Sequence, residues 1–269
     1  MRNGCGGLVW SMIRDCGIVY SNPLTRVQIP AATFLVLQVI HFTNFETKWK
    51  KIGVLGGMGP MSTVRFYQYL IELCQRRYYA KYDSDFPEIL IYNLPIPDVV
   101  ENIENEEKTK KLLINGIRQL ENAGCDFIAI PCNTVNFCID FLRAKSKIEI
   151  ISIVEETANK VNKSGTKNAT LLATEKTIQS GMYQDKIKKE IKLFLPEKQK
   201  EITNLILEIL AGCKESKKLG KTIKNCKSEA VILGCTDLSG LIDEKTTTIK
   251  IFDSLIILAE ATIEKAKVN

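Results

Sequence analysis

A single histidine, His41, serves the whole 269-residue chain. Mechanisms that need a catalytic imidazole are therefore excluded, since His41 lies in an amino-terminal stretch unlike the rest. No Cys-x-x-Cys occurs, although there are nine cysteines: Cys5, Cys16, Cys74, Cys125, Cys132, Cys138, Cys213, Cys226 and Cys235. Without paired cysteines or a usable histidine there is no ordinary zinc site, and no metal is expected. An odd set of unpaired thiols suits a reducing compartment, so a cytoplasmic setting is expected. No apolar run reaches the roughly 20 residues of a membrane span. The nearest, "IPAATFLVLQVIHF" from Ile29 to Phe42, is short and interrupted by Gln38 and His41. There is no Arg-rich block and no basic stretch interleaved with aromatics. The net charge of +6 is spread thinly, which favours solubility and does not point to nucleic acid.

Residues 1–47 carry few acids, three arginines (Arg2, Arg14, Arg26) and no clear period. They read as a poorly ordered extension, either a targeting segment or a mis-assigned start, and an organelle-targeting role stays open. From Lys51 onward the composition is that of a globular protein, and apolar strands alternate with amphipathic helices. "IGVLGG" (Ile52–Gly57), "EILIYNLP" (Glu88–Pro95), "DFIAIP" (Asp126–Pro131) and "IEIISIV" (Ile148–Val154) read as strands. Helices are expected between them, one capped at Ser62 and one closed by Gly124. The alternation restarts with strands at "NATLLAT" (Asn168–Thr174), "IKLFLP", "EAVILG" (Glu229–Gly234) and "TIKIFDS". One helix is expected over "TIQSGMYQDKIKKE". This is an α/β pattern with parallel sheets. The halves match: Ile52–Gly57 corresponds to Asn168–Thr174, and Asp126–Pro131 plus Cys132 corresponds to Glu229–Gly234 plus Cys235. Two doubly wound units follow, each carrying one cysteine.

Ligands of parallel α/β sheets bind beyond the carboxyl ends of the strands, where Cys132 and Cys235 stand. Each is followed by residues that open a helix, Asn133-Thr134 and Thr236-Asp237. Free N–H groups there lower a thiol's pKa and also bind a carboxylate. Two thiols on opposite sides of one small substrate can invert a stereocentre without a cofactor, one removing a proton from carbon and the other returning one. Asn133, Thr134 and Thr236 are the candidates for gripping the substrate carboxylate. Cysteine is often simply buried, so a lone cysteine after a strand reads as core; a matched pair in a duplicated pattern reads as function. Cys74, Cys125, Cys138, Cys213 and Cys226 have no match and read as packing. The loop "GVLGGMGPMS" (Gly53–Ser62) nearly meets a dinucleotide pattern, but Ser62 stands at the third glycine and Pro60 removes an N–H. Its glycines suit close approach of main chain to a small carboxylate, or merely a tight turn.

Together, "IGVLGGMGPMST", "PIPD", "GCDFIAIPCNT", "LLAT" and "VILGCTD" resemble the aspartate/glutamate racemase family, most closely its aspartate racemase branch, over about residues 51–269. The resemblance implies cofactor-independent racemisation of an acidic amino acid or a related small dicarboxylate, and two pseudo-symmetric domains with the site in their cleft. It also implies a homodimer. Domain boundaries are then expected at 48–151 plus 253–269 for the first domain and 152–252 for the second. The resemblance makes Cys132 and Cys235 catalytic. It makes Gly57, Met58, Asn133, Thr134, Thr174, Thr177, Lys200 and Thr236 substrate-binding, with Asp237 and Val99 as secondary candidates. Val99 departs from the pattern, since the branch carries an arginine there to hold the side-chain carboxylate. Either Lys200 or Arg65 replaces it, or the substrate is not aspartate, the leading expectation. Asp237 stands where the family has glutamate. Cysteine-dependent isomerisation or decarboxylation on the same scaffold, and non-catalytic binding of small carboxylates, remain as other readings.

Overall fold

The computed structural model describes residues 49–97, 106–213, 215–242 and 247–268. The expectations for residues 1–47 and for Val99 fall outside them. The described strands form two four-stranded parallel sheets. In the first, β1 (Ile52–Gly56), β2 (Ile89–Asn93), β3 (Phe127–Ala129) and β4 (Glu149–Ile151) lie in the order β2-β1-β3-β4. In the second, β5 (Asn168–Leu172), β6 (Lys192–Phe194), β7 (Ala230–Leu233) and β8 (Lys250–Asp253) lie in the order β6-β5-β7-β8. The two orders are the same topology repeated, and strands correspond as the sequence pairs them.

Helices α1 (Pro60–Tyr78), α2 (Glu106–Asn122), α3 (Ile139–Lys145) and α4 (Ile153–Asn162) follow β1 to β4 in turn. In the second half, β5 leads into α5 (Glu175–Gln179) and α6 (Met182–Lys186), and β6 into α7 (Gln199–Leu210) and α8 (Ser216–Lys224). The last helix, α9 (Ser254–Ala266), follows β8 and packs against α1 and α4. Strand alternation decides which face each residue serves. Ile52, Val54, Phe127 and Ala129 of the first sheet share one core with Ala169, Leu171, Ala230 and Ile232 of the second, filled by Phe66, Leu70 and Leu258 from the helices. The opposite faces have separate cores, one around Leu55, Ile128 and Ile130, the other around Leu172, Val231 and Leu233. Cys132 continues the Ile128–Ile130 register and Cys235 the Val231–Leu233 register, so the cysteines also match in facing.

Three local expectations are corrected. Helix α1 starts at Pro60, with Gly59 as its cap, because proline's fixed φ suits a first helical position. Ser62 is free for another role. The strand expected to run to Val154 ends at Ile151, because Ser152 accepts the N–H of Glu155 and opens α4. The single helix expected over "TIQSGMYQDKIKKE" is two, broken at Gly181 with φ +69°. Cys74, Cys125 and Cys138 are buried and Cys226 is half-buried, but Cys213 is exposed, just past Gly212 at the end of α7.

Candidate active site

In each sheet the chain order reverses between the two central strands, β1 and β3 in one, β5 and β7 in the other. A crevice opens beyond the strand ends at such a reversal. The loops leaving these four strands line one cavity of about 130 Å³. They bring to it Gly57 and Met58 after β1, Cys132, Asn133 and Thr134 after β3, Thr174 after β5, and Cys235, Thr236 and Asp237 after β7. On the scale of cavities that take up one small molecule, about 150 Å³ for benzene, this is room for a compact ligand.

Each cysteine is followed by a 3-10 turn, Thr134–Cys138 after Cys132 and Thr236–Leu238 after Cys235. Main-chain N–H groups of Thr134 and Val135 face the Cys132 sulfur, and that of Asp237 faces the Cys235 sulfur. These donors favour a thiolate, yet burial outweighs them. The Cys132 thiol is pushed up to about 11, by burial first. Cys235 is raised well above the ordinary thiol range by burial, then by the Asp237 carboxylate beside it. Cys235 donates to Asp237 Oδ2 at 3.7 Å. Asp237 is itself raised by burial, opposed by the Ser62 hydroxyl that donates to Oδ1 at 2.7 Å. Ser62 therefore supports this carboxylate from α1 and does not cap its own helix.

Asn133 is held by a directional chain. Ser254 spends its hydrogen on the Leu233 carbonyl at 2.7 Å, so its oxygen must accept from Asn133 Nδ2 at 2.9 Å. Asn133 Oδ1 is then left to accept from the Tyr183 hydroxyl at 2.7 Å. One amide hydrogen of Asn133 remains for a ligand. Thr134 Oγ1 lies 3.0 Å from Thr174 Oγ1, which lies 2.9 Å from Thr177 Oγ1, tying the two halves together. Thr177 is fully buried, is not among the cavity-lining residues and stands behind Thr174. The glycine loop is sterically fixed at Gly57: its φ is +95°, and a Cβ there would lie 2.6 Å from the Leu94 carbonyl oxygen. The Gly57 N–H is bonded to Thr63 Oγ1 at 2.9 Å.

Lys200, another expected contact, lies outside the lining. It is exposed in the first turn of α7. The α7 residue that does is Leu210, ten residues on and about 15 Å along the helix axis. Arg65, the other cation considered, does not line the cavity and donates from Nη1 to the Asp237 carbonyl at 3.0 Å. Sequence reading missed Ile96, Pro97 and Leu210 on the cavity wall, and Tyr183, Ser254 and Ser62 behind it. Ile96 and Pro97 lay within the "PIPD" motif and were legible there; Tyr183 and Leu210 look like any core side chain in a linear reading. No cluster able to hold a metal ion occurs among the described residues.

Comparison with known proteins agrees over this whole region. The family model described as Asp/Glu/hydantoin racemase matches residues 55–262. A broad-specificity amino-acid racemase of Bacillus subtilis is 34% identical over 220 residues, covering 79% of this chain and 96% of the relative. An aspartate racemase structure from Picrophilus torridus superposes with a TM-score of 0.70 at 32% identity, over 81% of this chain and 94% of its own. An aspartate racemase homologue from Pyrococcus horikoshii gives 0.67 at 32% identity, over 81% and 99%. The chain belongs to the Asp/Glu/hydantoin racemase family and is an isomerase of the amino-acid racemase class.

Proposed function

We propose that the chain racemises a free α-amino acid without a cofactor, using Cys132 and Cys235 as base and acid on opposite faces of Cα. What supports this reading is that two cysteines at equivalent positions of a repeated topology open on one small cavity. The Cys132 thiolate takes the proton as the Cα–H bond breaks. The electron pair delocalises into the α-carboxylate, which is gripped by Thr134, Thr236, the free amide hydrogen of Asn133 and the loop at Gly57 and Met58. The Cys235 thiol then delivers its proton to the opposite face, forming the new C–H bond and leaving a thiolate at Cys235. That end state is the one that acts on the product enantiomer. The Cys235–Asp237 hydrogen bond favours Cys235 as the resting acid, and the N–H groups facing Cys132 favour it as the resting base.

The test is proton NMR in D₂O, following loss of the Cα–H signal and appearance of the other enantiomer. Both thiols are raised, so thiolate is scarce at neutral pH and grows as pH rises. The rate constant kcat/KM should therefore climb by up to about tenfold per unit between pH 6 and 9. A profile already flat at pH 7 would mean that the base is not one of these buried thiols, and exchange with no substrate would remove the racemase reading.

The homodimer belongs to this proposal. Met61, Val64 and Tyr67 are exposed at three-residue spacing along α1, an apolar strip suited to a second copy. Sedimentation equilibrium should give twice the chain mass, and Val64→Glu should reduce it to one. None of the described helices is long and apolar enough to cross a membrane.

A further inference from the structure

The cavity lining is of two kinds. One is polar, with the cysteines, Asn133, the threonines and Asp237. The other is built by three separate elements: Met58 on the loop after β1, Ile96 and Pro97 after β2, and Leu210 at the carboxyl end of α7. They make up the apolar wall lining of the cavity. The Leu94 main chain packs on Gly57, and Leu210 Cδ2 comes within 3.3 Å of where a Cβ on Gly59 would stand.

No lysine or arginine lines the cavity among the described residues. Arg65 and Lys176, near the lining residues Asp237 and Thr174, each have a partner, and Lys200 lies away from the cavity. Arg65 is bonded to the Asp237 carbonyl. Lys176 pairs with Glu106 at 2.5 Å and lies over the Phe137 ring. Lys200 is exposed. The segment 98–105 that follows Pro97 reads "DVVENIEN", three acids and no base, so its sequence has no cation to offer. Near the apolar wall there is instead a negative group. Asp237 Oδ1 and the Leu210 methyl both lie within 3.4 Å of that same point beside Gly59.

We infer that Met58, Ile96, Pro97 and Leu210 receive the substrate's side chain, and that the enzyme acts on small α-amino acids with uncharged side chains in preference to aspartate or glutamate. This rests on the racemase reading above and names its substrate class. A side-chain carboxylate against this wall would lose its water, meet no lysine or arginine in the lining and lie near Asp237. A short neutral side chain loses nothing polar and covers Met58 and Leu210. The α-ammonium, present in every substrate, is the cation that Asp237 can accept.

The experiment measures kcat/KM by Cα–H exchange for alanine, homoserine, methionine, aspartate, glutamate and lysine. The best neutral substrate should exceed aspartate by about a hundredfold. Leu210→Lys, at a position 40% exposed and so tolerant of a long polar chain, should raise aspartate relative to that substrate by about tenfold or more. Leu210→Gln, polar but uncharged, should not. Aspartate, glutamate or lysine as the best substrate overturns the inference while leaving racemisation intact, and so does an equal gain from Lys and Gln. Calorimetric binding of the same amino acids separates the two readings. Tighter binding of a neutral amino acid with no exchange on any keeps the subsite and removes the racemase; no preference in binding removes the subsite.

Discussion

Cys132→Ser and Cys235→Ser should each lower inversion of the substrate by about a thousandfold or more, and they should fail in opposite ways. A serine hydroxyl ionises far less readily than a thiol, and general acid–base groups typically contribute factors of about 10² to 10⁴. Racemisation needs both a base and an acid, so losing either group blocks passage between enantiomers. Removal of the proton needs only the base on that face. With Cys235 replaced, Cys132 still exchanges the Cα–H of the enantiomer it faces for deuterium, with retention. With Cys132 replaced, Cys235 does the same for the other enantiomer. Chiral chromatography with mass detection of deuterium reads both outcomes from one incubation in D₂O. Near-normal inversion by either variant would rule out the two-thiol mechanism. Both variants folding normally is expected, because serine is nearly isosteric and each sulfur already faces hydrogen-bond donors.

Asp253→Ala should be the most destabilising single change among the polar residues around the site. The Asp253 carboxylate accepts from the Leu255 and Ile256 N–H groups at 3.0 and 3.3 Å, capping α9. It also accepts from Ser239 Oγ at 2.7 Å and from the Gly240 N–H at 3.3 Å. Alanine leaves four donors without this acceptor, the Ser239 hydroxyl and Leu255 N–H in buried bonds at a cost of about 1–3 kcal/mol each, and the Ile256 and Gly240 N–H groups in part-buried ones at less. Against that stands the desolvation of the carboxylate itself, which raises its pKa and is relieved by the substitution. The net loss should be about 3 kcal/mol, as a cap loss alone reaches about 1–2. Urea unfolding monitored by circular dichroism measures it through the midpoint at constant slope. The change should also slow catalysis, because Ser239 and Gly240 close the turn that begins at Cys235. A loss under about 0.5 kcal/mol, the scale of an ordinary surface substitution, would mean that α9 is held by its packing on α1 and α4 and not by this cap.

The fold was legible because it repeats a local pattern. Buried strands such as Ile52–Gly56 and Ala230–Leu233 are continuous apolar runs, and the helices between them carry helical spacing that needs no partner to be read. The element ends were less legible where capping competed with β-propensity. Ile153 and Val154 favour a strand by composition, but Ser152 supplies a cap and they open a helix. Gly181 reads as a tolerated glycine within a helix until its positive φ breaks the segment in two.

The sequence by itself determined the chemistry available: two cysteines at matching strand ends, polar residues after each, a glycine loop between a strand and a helix, and a single histidine that lies outside the regular α/β part. Those are statements about residue type and short-range order, and they survive any arrangement of the halves. Only the tertiary structure decided the apolar part of the cavity lining. Lys200 and Leu210 share one helix, and nothing local distinguishes which reaches the cleft. That is set by how α7 packs against its sheet, through Ile202, Leu205, Ile206 and Ile209, leaving Leu210 at the rim. The same long-range packing placed the Arg65 guanidinium on the Asp237 carbonyl.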